Sequence, residues 1–587
     1  MSTTSTISPK DPPEMHTTSE KGIGSSFTFL NICQFIGAMN DNIFKLLLAF
    51  CFISLEGAAS SNRILAMAGG IYVLPFILFS TTAGILADRY SKRTIIIITR
   101  AAELIALLMG MVAFGLQNKA LSFFTLFLLA SHSAIFGPCK YGIIPEIVPK
   151  ESISKANGLL TSFCYIAIIV GTFLAAFLTD ITNKHFLLAL AICICFSLIS
   201  LFSSLKIQKT PPAGSRKKVT PRLLTELIQN IKIIRKEPSL LSAVLGSAFF
   251  LFIGSYIQLN MIPFALKTLH LTDVQGGYMF LLTAFGIGIG SLLAGKLSGK
   301  AVEFGLVPFG GIGMAISSLC LSYWSQTIPV VLLLVFLMGF FGGTYLVPLD
   351  SYIQVASPTT KRGQILATTS VLGFFGVLLS ALSMYVISEV IGLEPDQGFA
   401  IVGVATLIIA ICISISISGY IVRFFSLIVS YVFFPAYLKG KEQVCLDRPS
   451  IFFVPKSFWP WAPVLLASQR RRMRLFSLAP RTKPPFLGKL LLRMIPIIII
   501  DQIEEISPGG SSEEMVRHAV ERGTSIALFC SKKTLSEQVL PFIKAWEKEH
   551  VMQNISFFSV IIPEGETNDK PWASAHIEQI DIETTSF

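Results

Sequence analysis

Twelve apolar stretches, each long enough to cross a bilayer, constrain this 587-residue chain more than any other feature. They fall at about 27–55, 64–87, 94–116, 121–143, 156–179 and 185–205. After a polar segment, six more fall at about 239–265, 276–299, 304–323, 328–350, 366–390 and 398–419. Within hydrocarbon a backbone satisfies its own N–H and C=O groups only as a helix or a closed barrel, and stretches of about 20 residues have helix length. The sequence therefore predicts an all-α polytopic membrane protein: six helices, a long hydrophilic loop, six helices. With 52% hydrophobic and 14% charged residues and a mean hydropathy of +0.67, a soluble globular enzyme, disorder, collagen and coiled coil are all excluded as the main reading.

The formal charge of +12 is uneven. From Lys439 onward there are 19 Lys and Arg against 17 Asp and Glu, so the excess belongs to the apolar part. With the N-terminus inside, the cytoplasmic loops hold 20 Lys and Arg and the outer loops only Arg63, Lys119, Lys184 and Lys267. That is a positive-inside bias; it places both termini in the cytoplasm and argues for a bilayer and against nucleic acid as partner. The ten cysteines are isolated, which predicts neither a disulfide framework nor a metal site, and nothing implies a cofactor. The expected domains are a disordered tail (1–25), a six-helix half (26–205), a cytoplasmic loop (206–238), a second six-helix half (239–420) and a small α/β domain (421–587). Residues 1–25 lack the apolar core of a secretory signal. Within the loop, Leu223, Leu224, Leu227, Ile231 and Ile234 recur at helical spacing over Pro221–Lys236. Such a helix lies along the inner membrane surface or serves as a plain tether.

An internal repeat supports the six-plus-six division. Phe136-Gly137 recurs as Phe341-Gly342, and Ala156-Asn157-Gly158 aligns with Lys361-Arg362-Gly363, both 205 residues later. Two related six-helix halves build the twelve-helix major facilitator fold. The segment Gly84, Asp88, Arg89, Lys92 and Arg93 resembles that superfamily's signature between its second and third helices. The glycine lets helices approach closely. Asp88 and the arginines can form charge-assisted pairs that hold one conformation closed, or they are a solvated, orientation-setting cluster. In the second half Gly290, Gly295 and Lys296 match this segment, without the acid.

The first apolar stretch carries Asn31, Gln34, Asp41 and Lys45 on one helical face, flanked by Asn40 and Asn42. Facing lipid, this stripe would cost several kcal/mol, so it faces protein or water. Asp41 either pairs with Lys45 one turn away or binds a cationic group or a proton. Arg100, Glu103, His132 and Lys140 add ionisable groups in the first half; Arg100 and Glu103, one turn apart, can pair with each other. The second half offers little besides Asp350 and Gln258. Charge recognition on one side and apolar surface on the other suit an amphiphile better than a sugar.

Two segments narrow the reading: Gln34 to Asn42, and Phe136, Gly137, Pro138, Lys140, Tyr141, Gly142, Pro145 and Glu146 followed by Asn157-Gly158. Together with Val347, Pro348, Asp350, Gln354, Arg362 and Gly363 they resemble the bacterial lysophospholipid transporter family of the major facilitator superfamily, over residues 27–420. The resemblance implies flipping of lysophospholipids, chiefly lysophosphatidylethanolamine, to the inner leaflet of the bacterial inner membrane for reacylation. It places the substrate on Gln34, Asn40, Asp41, Asn42, Lys45, Lys140, Tyr141 and Gln258, and a gate on Gly84, Asp88, Arg89, Arg93, Glu146 and Arg362. A facilitator for another amphiphile or a drug is the alternative, and a lipid-binding scaffold without transport would waste the charged stripe.

Relatives of that family are often fused to a glycerolipid acyltransferase and an acyl-carrier-protein synthetase, and a separate copy of either is an expected partner here. The run from Tyr437 to Val454, and Pro485 to Asp501, resemble the acyltransferase pattern. Its chemistry needs a His base oriented by an Asp five residues later; Lys456 and Trp461 stand at those places. The Pro-Glu-Gly-Thr block is missing near Phe529 to Lys532, and Pro563-Glu564-Gly565 lies too far on to replace it. The tail thus reads as a degenerate, non-catalytic domain rather than half of a bifunctional transporter and 1-acylglycerophospholipid acyltransferase. Arg470, Arg471, Arg472, Arg474, Arg481 and Lys483, with Trp459 and Phe486, form either a face for anionic lipid or an ordinary basic surface.

Overall fold

A computed structural model describes residues 24–416, except 58–59, 216, 218–222, 272, 299–301 and 325–326, and beyond them the strands named below with Ser426, Leu465 and Leu466. Among the described residues thirteen α-helices are formed: α1 (Ser25–Glu56), α2 (Ser61–Arg89), α3 (Lys92–Gly115), α4 (Lys119–Ile147), α5 (Ile153–Ile181), α6 (Phe186–Leu205), α7 (Leu223–Ile234), α8 (Pro238–Pro263), α9 (Asp273–Leu297), α10 (Leu306–Tyr323), α11 (Ile328–Ala356), α12 (Arg362–Tyr385) and α13 (Pro395–Ser416). All but α7 are long and apolar enough to cross a membrane. Residues 1–23 of the expected tail lie outside the described residues.

The chain divides into two compact units. The first comprises Met1–Lys236, Ile287–Val302 and Ile353–Ser380. In it α1 packs on α5 and α6, and α4 on α2 and α3. Met39, Phe44, Leu47, Leu107 and Leu126 close the core between them. Ile98, Ile105, Val112, Phe173 and Phe202 are exposed, as large apolar side chains facing lipid are.

The second unit comprises Glu237–Gly286, Glu303–Tyr352 and Ala381–Phe587. Here α13 packs on α8 and α10, around Tyr256, Met261, Phe264 and Phe399. Small residues permit its tightest crossing. A Cβ at Gly339 would stand 2.0 Å from Thr283 O, and one at Gly286 2.3 Å from Phe336 O, so α9 and α11 meet backbone to backbone. The same unit carries a seven-stranded sheet of β1 (Leu438–Lys439), β2 (Ser450–Val454), β3 (Met473–Ser477), β4 (Asp501–Gln502), β5 (Ser525–Phe529), β6 (Ser556–Ile561) and β7 (Ala575–Gln579), in the order β1-β7-β6-β2-β5-β3-β4. Every pairing is parallel except β6 with β7. Strands β2 and β5 are buried along their whole length, as their unbroken apolar runs require of parallel strands covered on both faces. Lys456, Trp461, Pro563 to Gly565 and most of the basic run lie outside the described residues.

The helix expected in the hydrophilic loop forms as α7. It packs on α2, burying Leu227 and Ile234 together with the polar Glu226 and Asn230; Asn230 Nδ2 donates to Thr368 Oγ1 of α12 at 3.1 Å. Periodicity revealed an apolar face, but the surface that covers it is protein.

Candidate functional site

The first unit holds a network of ionisable side chains that three helices bring together. Glu103 of α3 is fully buried, and Arg100, one turn before it, is 1% exposed. Their ion pair spans 2.6 Å. The Arg100 guanidinium also lies 4.2 Å over the Phe136 ring of α4. A Cβ at Gly37 would stand 2.0 Å from Arg100 Nη1; only glycine in α1 leaves room for it. Asn40 of α1 donates to Glu103 Oε1 at 3.2 Å, and His132 Nε2 of α4 stands 3.6 Å from Glu103 Oε2.

Asp41 joins this network through Ser133, whose hydroxyl donates to Asp41 Oδ2 at 2.6 Å and lies 3.5 Å from His132 Nε2. Asp41 and Lys45 do not close the one-turn ion pair. Instead Lys45 Nζ sits 5.4 Å over the Tyr72 ring of α2, and the Tyr72 hydroxyl is directed at Asp41. Asp41 Oδ1 is left buried and unbonded, ready to accept.

Two turns before Asp41 on α1, Gln34 anchors a second polar group. Its amide donates to Leu160 O at 3.0 Å and its Oε1 accepts from Lys140 Nζ at 3.4 Å. Lys140 stands 4.9 Å over the Tyr141 ring and closes no ion pair among the described residues. Asn42 turns back to Ala38 O of its own helix at 2.8 Å, so it contributes nothing to either group. Gln258 of α8 is exposed in the second unit. There Asp350 accepts from Ser247 Oγ at 3.1 Å.

A different arrangement closes the Asp88 end of the first unit. The buried Asp88 carboxylate accepts from Gly363 N at 2.6 Å, Gln364 N at 3.0 Å and Gln364 Nε2 at 3.1 Å. The two backbone donors are first-turn amides of α12, which have no partner inside their own helix, and the helix dipole adds to the attraction. Asp88 was expected to pair with arginines; its partner is a helix N-terminus. Arg89 points away over Tyr90 at 5.4 Å, and Arg93 donates to Leu205 O at 2.8 Å. Lys92, not an arginine, takes Glu146. Arg362 is buried beside Asp88 and Glu146.

Glycines set this crossing. A Cβ at Gly84 would lie 2.7 Å from Gly363 O and 2.9 Å from Gln364 Cα. The repeat-related Gly158 makes the matching approach on α9, where a Cβ would lie 2.5 Å from Ser291 O and 3.0 Å from Gly295 Cα. Beside it Asn157 and Gln354 exchange two amide hydrogen bonds of 3.2 and 2.9 Å, where the first crossing has a carboxylate. Ser133, Tyr72 and Gln364 complete these arrangements and carry no sequence signal, being neutral residues in apolar or turn-like surroundings.

The profile of the Major Facilitator Superfamily matches residues 30–381 and, in an overlapping match, 244–418. The chain belongs to the Major Facilitator Superfamily. Twelve apolar helices make it a multi-pass membrane protein, and it is a secondary transporter of that superfamily. It is 26% identical to the lysophospholipid transporter LplT of Enterobacter sp. (strain 638) over 379 residues, which is 63% of this chain and 89% of that one. It is 25% identical to LplT of Klebsiella pneumoniae subsp. pneumoniae over 369 residues, 62% and 89% of the two chains. Among solved structures, the human organic anion transporter MFSD10 (TETRAN) superposes with a TM-score of 0.56 at 13% identity, covering 66% of this chain and 99% of that one. FucP in its outward conformation gives 0.56 at 15%, with 67% and 99% covered. These two share the major facilitator fold with it. The profile matches fall within the twelve-helix part of the chain.

The Asp88 arrangement has a direct readout. Asn in place of Asp88 keeps one acceptor and loses the charge, worth about 1.5–3 kcal/mol for charged hydrogen bonds. Hydrogen exchange at the Gly363 and Gln364 amides should quicken about ten- to hundredfold in Asp88→Asn. Unchanged exchange would show that Asp88 does not hold α12.

Proposed function

We propose that this transporter moves lysophospholipids, with lysophosphatidylethanolamine the chief substrate, across a bacterial inner membrane by alternating access, delivering them to the inner leaflet for reacylation. The single observation that carries the reading is the pairing, on one unit, of an ammonium without a carboxylate at Lys140 and a carboxylate with an unbonded oxygen at Asp41. A zwitterionic headgroup offers a phosphate to the first and an ammonium to the second. The likeness to LplT over the transporter part supports the same substrate class.

In this reading Gln34 and Tyr141 orient Lys140, while Asn40 and Lys45 tune the surroundings of Asp41. The Gly84–Asp88 crossing with Arg362 and Glu146 is the cytoplasmic gate, and Arg89 and Arg93 set orientation from the cytoplasmic loops. Both termini lie in the cytoplasm, and a separate acyltransferase or acyl-carrier-protein synthetase acts on the delivered lipid. Expressed in spheroplasts that lack such a transporter, the chain should confer uptake of labelled lysophosphatidylethanolamine; uptake equal to the empty control would refute the substrate.

The C-terminal region has no acyltransferase activity, because Lys456 and Trp461 replace the base and its orienting acid. The purified protein should transfer no acyl group from acyl-carrier protein or acyl-CoA to a lysophospholipid. Turnover lost in Lys456→Ala would instead establish a bifunctional enzyme.

A further inference from the structure

At the Asp88 end, Ser215 and Lys217, ahead of α7, border a cavity of about 440 Å³, within the roughly 300–1,000 Å³ of small-molecule sites. Its wall comes from three pieces of chain: Ser215 and Lys217 of the loop, Gln229 of α7, and Thr360, Lys361 and Gln364 leading into α12. Among the described residues no carboxylate lines it. Two ammonium groups face it and one acid, Glu226, answers them by pairing with Lys217. Lys217 gives a second hydrogen bond to Gln364 Oε1 at 3.2 Å, which leaves one of its three protons to donate. Lys361 is exposed and closes no ion pair among the described residues. Gly214 and Ile233 make part of the wall apolar, but two hydroxyls and an amide join the lysines to offer several donors around a net positive charge, the complement of a phosphate's several acceptor oxygens.

We propose that this cavity binds a phosphate group, from an anionic phospholipid headgroup or a dissolved phosphate, and that the bound group locks the Asp88 end closed. The lining residues are themselves fastened to that end. Gln364 accepts from Lys217 with its Oε1 and donates to Asp88 with its Nε2, and Ser215 N donates to Asp88 O at 3.3 Å. A phosphate held between Lys217 and Lys361 ties the loop to the start of α12, so separating α2 from α12 would break its site. Any ligand that binds one conformation alone stabilises it by mass action. The proposal goes beyond the transport reading and is independent of which substrate is carried.

The test uses the full chain in nanodiscs and reads hydrogen exchange at the Gly363 and Gln364 amides. One arm adds phosphatidylglycerol to a phosphatidylcholine bilayer; the other adds inorganic phosphate to phosphatidylcholine alone. The effective probe should slow exchange about tenfold at ten times its dissociation constant. That slowing should vanish in Lys361→Gln and persist in Lys361→Arg, a position whose side chain touches neither Asp88 nor the charged network. Slowing by phosphatidylglycerol alone identifies a lipid headgroup, and slowing by inorganic phosphate a soluble ligand. If neither probe slows exchange, or if slowing survives in Lys361→Gln, the proposal is wrong.

Discussion

Glu103→Gln should be the most destabilising conservative change in the first unit. The side chain is fully buried and answers Arg100 at 2.6 Å, with Asn40 and His132 also directed at it. Gln keeps the shape but leaves a buried guanidinium whose neutralising partner is gone. Removing one member of a buried ion pair costs about 3–5 kcal/mol. Thermal unfolding in detergent should show a loss of that order, and Arg100→Gln/Glu103→Gln should recover part of it, since the double variant leaves no stranded charge. Equal losses for the single and double variants would mean that the two side chains act by packing alone.

Gly84→Val should remove the closed arrangement of the Asp88 end. The first added carbon would already stand 2.6 Å from Ala367 Cβ and 2.7 Å from Gly363 O, and a backbone oxygen cannot rotate away as a side chain can. Overpacking of a close helix crossing costs about 1–3 kcal/mol, up to about a hundredfold in the closing equilibrium. Transport should fall steeply while the protein still inserts. Cys139, which is fully buried near Lys92 and Asp88, should become open to alkylation, read by mass spectrometry of its peptide. Gly84→Ala should show the same effects more weakly. Normal transport with an unreactive Cys139 in Gly84→Val would show that α2 and α12 need not meet.

The helices were legible because hydrocarbon admits so few solutions. Each stretch had to be a helix of membrane length, and the observed α1 to α6 and α8 to α13 differ from the sequence reading by a few residues at their ends. The stripe of Asn31, Gln34, Asp41 and Lys45 was visible for the same reason, as polar groups in an apolar segment must find partners. Which partners they find was not visible. Spacing alone suited Asp41 to Lys45, whereas the folded chain gives Asp41 a serine from α4 and Lys45 an aromatic ring from α2. The one-turn spacing of Arg100 and Glu103 made their pair legible, but its convergence with His132 and Asn40 depends on how α1, α3 and α4 cross. Asp88 illustrates the limit: two of its three partners are backbone amides, which every residue carries, and the third is a neutral side-chain amide, so the charge pattern suggested arginines. Gln364, a neutral residue in a polar stretch of sequence, gives no sign that it connects the loop to Asp88.

The account turns on a headgroup held between Lys140 and Asp41. Its most direct test is the flux of labelled lysophosphatidylethanolamine through the purified full chain reconstituted in phospholipid vesicles, with wild type, Lys140→Gln and Asp41→Asn measured at equal protein content. The account predicts flux in wild type well above protein-free vesicles and close to that background in both variants, with reconstitution unimpaired. Wild-type flux at background, or variants that carry the lipid as fast as wild type, would contradict it.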